Sequence, residues 1–113
     1  MEDFLLKTIL IDLDGVLNEY TGDYKPDYIP PMKVGADKFL EGLFGDYELK
    51  IFTAREKNLV AKWLQDNNIH QYISDVTNEK IPAWLIIDDR CLTFGGDYQK
   101  IIAQIKSFKP WYK

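Results

Sequence analysis

Two aspartates, two residues apart, close an apolar run. In TILIDLDGVLNEY, Thr8–Tyr20, a strand-like stretch ends in Asp12 and Asp14, and Gly15 follows at once. Two other runs end in the same way. LKIFT, Leu49–Thr53, closes on a hydroxyl, and WLII, Trp84–Ile87, runs straight into Asp88 and Asp89. Lys80 precedes the last run, while Arg55 and Arg90 each lie one or two residues past a polar end. Four carboxylates gathered at one edge repel one another by about several kcal/mol when partly desolvated, so one must hold a proton or a cation must sit among them. Oxygen donors with no His or Cys among them favour magnesium over zinc. Any one of these aspartates could be a turn former or helix cap; the set together carries the chemistry.

The rest of the chain supplies elements to position that set. Thr8–Leu13 reads as the first strand and Leu49–Thr53 as the second. Between them Ala36, Phe39, Leu40, Leu43 and Phe44 repeat at helical spacing up to a stop at Gly45. A second helix carries Leu59, Val60, Trp63 and Leu64 and closes at Asn67-Asn68. Tyr72–Val76 is a weaker third strand and Trp84–Ile87 a short fourth. Gly95-Gly96-Asp97 caps a last helix with Ile101, Ile102, Ile105 and Phe108 on its face. The order β-α-β-α-β-β-α predicts an α/β fold whose parallel sheet is covered on both faces. Ligands in such sheets bind beyond the carboxyl ends of the strands, where every polar residue named above falls.

Composition narrows the function classes. At 113 residues the chain reads as one domain over 1–113, and 46% hydrophobic with 28% charged residues excludes a disordered one. A net charge of −4 gives no general reason to bind nucleic acid. Cys91 is the single cysteine, which rules out a disulfide framework and suits a reducing compartment. MEDFLLK lacks the charge and apolar length of a signal peptide, and no window is long enough to span a membrane. These features together predict a cytoplasmic protein.

DLDGV at Asp12–Val16, Thr53 closing a strand, Lys80, and IIDD at Ile86–Asp89 resemble, in order, the four motifs of the haloacid dehalogenase-like (HAD) superfamily. LIIDDR…FGGDY, Leu85–Tyr98, further resembles a small capless branch of its hydrolases. The resemblance implies a three-layer Rossmann-like core with strand order 3-2-1-4. It implies a magnesium-dependent phosphomonoester hydrolase that works through an aspartyl-phosphate. Asp12 would be the nucleophile, and Asp14 would protonate the leaving alcohol and then activate water. Thr53 would hydrogen-bond a phosphate oxygen and Lys80 would neutralise its charge. Magnesium would be held by Asp12, Asp14 (through its carbonyl), Asp88 and Asp89.

Substrate contacts are expected at Gly15, Thr53, Arg55 and Arg90. A guanidinium at Arg55 or Arg90 could grip a second phosphate, or pair with the aspartates around it. Gly15 is placed to accept the angles of a sharp turn. The stretches 15–52 and 54–79 are taken up by helices and strands, so neither holds a cap. Residues 18–32, with Tyr20, Tyr24 and Tyr28, form at most a short flap. An open site suits an exposed phosphate on a macromolecule; a homo-oligomer could instead cover it for a small phosphorylated molecule. Two rival readings are a non-catalytic phosphate- or metal-binding module on the same fold and a receiver-type signalling domain. The second is disfavoured because its acidic pair comes early rather than after the lysine. His70 reads as a surface turn residue, Cys91 as a buried filler, Trp63 and Trp84 as core, and FKPWYK as a docked or frayed segment.

Overall fold

The computed structural model describes residues 6–113. Its elements are β1 (Lys7–Asp12), α1 (Ala36–Leu43), β2 (Tyr47–Phe52), α2 (Lys57–Asp66), a 3-10 turn at His70–Tyr72, β3 (Asp75–Thr77), β4 (Leu85–Ile87) and α3 (Tyr98–Ser107). The four strands make one sheet in the order β3-β2-β1-β4, parallel throughout. No cap domain interrupts it, as the sequence predicts. No helix among the described residues is long and apolar enough to cross a membrane.

β1 sits in the middle, paired along its whole length with β2 and, at Ile9–Ile11, with β4. Its apolar run therefore has to suit both faces. Ile9 and Ile11 point to one side and pack with Leu49 and Ile51 of β2, Leu40 of α1, and Val60, Trp63 and Leu64 of α2. Leu10 points to the other side by the period-two rule, and it too is fully buried. Each such side chain stabilises the fold by roughly 1.5–3 kcal/mol on burial.

Right-handed crossovers put α1 and α2 on one face and send the β3–β4 connection across the other. That connection, residues 78–84, carries no helix. α1 stops at Gly45, whose φ of 97° suits glycine, and α2 stops at Asn68, φ 58°. Glu56 caps α2 by accepting from Leu59 N at 2.8 Å, and Asp97 caps α3 by accepting from Gln99 N and Lys100 N.

Three local expectations change. The third strand starts at Asp75 because Tyr72 is taken up in the 3-10 turn. Trp84 is half exposed just before β4, stacked on Tyr47 at 5.6 Å with Lys7 above it. No residue of α3 is buried: Ile102 and Ile105 face solvent despite the helix's apolar stripe.

Candidate metal and phosphate site

The ends of β1 and β4 lie side by side, so their aspartates must meet. One carboxylate oxygen from each of Asp12, Asp88 and Asp89 falls within 4.8 Å of the others. All three side chains are half-buried. Both oxygens of Asp89 are shut off from solvent with no hydrogen-bond partner among the described residues. A buried carboxylate left unpaired costs more than almost any other polar group. The three acids also act on one another. Burial first, then the charge of Asp88 and the adjacent Asp89, push Asp12 up to about 8. An all-oxygen donor set with two orphaned oxygens fits a hard divalent cation.

Asp14 belongs to a different cluster. Its carboxylate is gripped by the Arg55 fork, with Nε donating to Oδ2 at 2.8 Å and Nη2 to Oδ1 at 3.0 Å. Asn18 adds a third bond, Nδ2 to Oδ1 at 3.1 Å. Arg55 Nη1 donates to the carbonyls of Lys25 and Pro26 at 2.7 and 3.3 Å, and the guanidinium lies 4.7 Å from the Tyr24 ring centroid. Its side chain is only 1% exposed. Of the two expectations for Arg55, the structure has the ion pair with an aspartate. Every nitrogen is committed, and the residue is a brace between the end of β1, the start of α2 and the 18–32 flap.

Gly15 is likewise tied within the chain. Its N–H donates to Asn18 Oδ1 at 3.1 Å and its carbonyl accepts from Trp111 Nε1 at 2.6 Å, so neither is free for a substrate. The glycine is needed for shape. Its φ is 87°, and a Cβ there would collide with Asp89 Oδ2 and crowd the Tyr112 ring.

Thr53 is buried, and its hydroxyl oxygen accepts from Arg55 N at 3.2 Å, which leaves its O–H to donate. Asn78 holds that loop by donating to the carbonyls of Thr53 and Arg55 at 2.7 and 2.9 Å. Lys80 and Arg90 are exposed. Lys80 lies close enough to Cys91 to offset part of the upward push that burial and the charges of Asp88, Asp12 and Asp89 give its thiol. Cys91 is exposed rather than a buried filler, and its raised thiol makes it a poor nucleophile.

No protein-family model matches the chain, and no curated protein matches it. Among solved structures it is similar to a conserved protein coded by a locus from Bacteroides thetaiotaomicron, at a TM-score of 0.60 and 22% identity. The match covers 89% of this chain and 90% of that one. The likeness is one of fold.

Several residues around the site carried no signal in the sequence. Asn18 is fully buried, accepting from Gly15 N and Tyr20 N while donating to Asp14. Tyr112 packs edge-on against the buried Tyr20 with centroids 5.7 Å apart. Burial, then the Asp89 carboxylate beside it, push the Tyr112 hydroxyl up to about 12. An asparagine four residues after a DxDG aspartate is a weak pattern, and nothing local links Tyr112 to Tyr20.

Proposed function

We propose that this chain is a magnesium-dependent phosphomonoester hydrolase of the HAD type, working through an aspartyl-phosphate on Asp12. The observation that carries this reading is the meeting of Asp12, Asp88 and Asp89 around the orphaned Asp89 carboxylate. Those three, with the Asp14 carbonyl, would hold the ion. Bound there, magnesium would offset the negative charge that otherwise keeps a phosphate away from the acids.

The chain's own residues then have defined tasks. An Asp12 oxygen attacks phosphorus, and the bond from phosphorus to the ester oxygen breaks as Asp14, having taken up a proton from solvent on the oxygen it turns out of the Arg55 pair, gives that proton to the ester oxygen. Water next attacks the aspartyl-phosphate, Asp14 takes its proton, and the bond from phosphorus to Asp12 breaks to release phosphate. The Thr53 hydroxyl is free to donate to a phosphate oxygen. Lys80 supplies positive charge from the crossover. Asp14 is held by both arms of the Arg55 fork, so acting on the substrate requires it to turn one oxygen out of that pair.

The test is a panel of phosphomonoesters with magnesium, with a chelator, and with the Asp12→Asn variant. Turnover should need the metal and vanish in the variant. A pure protein inert toward the whole panel would favour the non-catalytic binding module, and a still-active Asp12→Asn variant would sink the covalent route.

A further inference from the structure

The segment after α3 returns to the DxDG turn, and the mechanism above makes no use of it. Trp111 is tied there by its bond to the Gly15 carbonyl, across 96 positions of sequence. Tyr112 packs edge-on against Trp111 with centroids 5.4 Å apart, and its ring crowds the same side of Gly15 as Asp89. The Lys33 ammonium stands 4.3 Å from the Trp111 ring centroid. At the other side chain of the turn, Tyr24 covers the Arg55 guanidinium that holds Asp14. Trp111 is 53% exposed and Tyr24 45%.

Two large rings are thus anchored beside the acids, yet each leaves about half its surface in water. Rings that served only to fill the core would be buried as Trp63 is. A fixed, half-exposed indole beside the acids offers a stacking surface, and the Lys33 ammonium at that ring adds attraction for an anionic partner. No cap is present to do this selecting.

We propose that Trp111, with Tyr24 as the second ring, selects phosphate esters whose leaving group carries a flat ring, a nucleoside or an aryl alcohol. The inference rests on the hydrolase reading for where the phosphate sits, and its stacking half is testable without turnover. The experiment measures binding of adenosine monophosphate, phenyl phosphate and glycerol phosphate to the Asp12→Asn protein with magnesium present, by calorimetry. The ring-bearing esters should bind about 10-fold tighter than glycerol phosphate. Trp111→Ala should bring the three within about two-fold of one another, and Trp111→Phe should keep the preference. If Trp111→Ala does not fold, Trp111→Leu, which keeps apolar volume without a ring, replaces it.

Equal affinity for all three esters, or an equal loss for all three in the ringless variant, would overturn the inference. Adenosine monophosphate ahead of phenyl phosphate assigns a nucleoside, and the reverse order assigns an aryl group. Ring-selective binding by a wild-type protein that hydrolyses nothing would refute the hydrolase reading and leave this selection standing. Hydrolysis indifferent to the ring would refute the selection alone.

Discussion

Replacing Arg55 with methionine removes the guanidinium and keeps most of the stem. The loss falls on a pair whose side chains are 1% and 16% exposed. Two charge-assisted bonds at 2.8 and 3.0 Å disappear, together with the bonds to the Lys25 and Pro26 carbonyls. Asp14 is left with Asn18 as its remaining partner of these. Breaking a buried pair from one side costs roughly 3–5 kcal/mol. Asp14 and the loop carbonyls can regain some water, which sets the expectation near the lower end, at about 3 kcal/mol. For a domain of this size that is a fall in melting temperature on the order of 10 °C. Urea unfolding of Arg55→Met, Asp14→Asn and the double variant would isolate the pair, with an expected coupling of about 2 kcal/mol. Hydrogen exchange should also speed up through 22–28, where the guanidinium holds the flap. A cost of Arg55→Met below about 1 kcal/mol, with no change in flap exchange, would refute the claim that this residue is a brace.

Other outcomes follow from the same geometry. Asp12 is raised from near 4 to about 8, so the metal-free folded protein holds a proton there that the unfolded chain has lost. Its stability should therefore fall as pH rises from about 4 to about 8 and level off above that, by about 2 kcal/mol once solvent screening is allowed for. Urea midpoints in chelator at pH 5 and pH 8 measure the slope, and Asp12→Asn should flatten it. Added magnesium should restore stability most at pH 8, which a thermal-shift titration reads. Gly15→Ala combines a φ of 87° with a collision against Asp89 and should cost at least about 2 kcal/mol by the same unfolding assay. Ile105→Lys on the exposed face of α3 should change stability by no more than about 0.5 kcal/mol; a larger loss would show that this face is covered in solution.

Much of the framework was legible because it depends on local pattern. The apolar runs ending in Asp12, Thr53 and Asp88 marked the strands and their carboxyl ends, and a parallel order then had to bring those ends to one edge. The α2 stop at Asn67-Asn68 was legible for the same reason: asparagine tolerates the left-handed angle found at Asn68. What pattern does not encode is who meets whom. Arg55 finds Asp14 across 41 positions, and its choice between substrate and carboxylate was open until the burial was known. The stripe of α3 showed an apolar face without showing whether any surface was available to receive it. Trp84 looked like core because it opens an apolar run, yet the strand begins one residue later and its ring lies at the rim.

The helix-free link between β3 and β4 sets where this fold has slack. Seven residues, 78–84, can span about 25 Å at full stretch. They must cross three strand spacings, about 14 Å, while descending the length of the sheet and arching over its surface. Little is left over, so removing one or two residues would pull β4, and with it Asp88 and Asp89, away from Asp12. The 18–32 flap is held differently: the Asn18–Met32 bridge ties its base, Arg55 holds its middle through the Lys25 and Pro26 carbonyls, and Trp63 holds its returning arm through the Pro30 carbonyl. Any larger lid this architecture acquires has to grow around those ties, and the taut crossover has to keep its length.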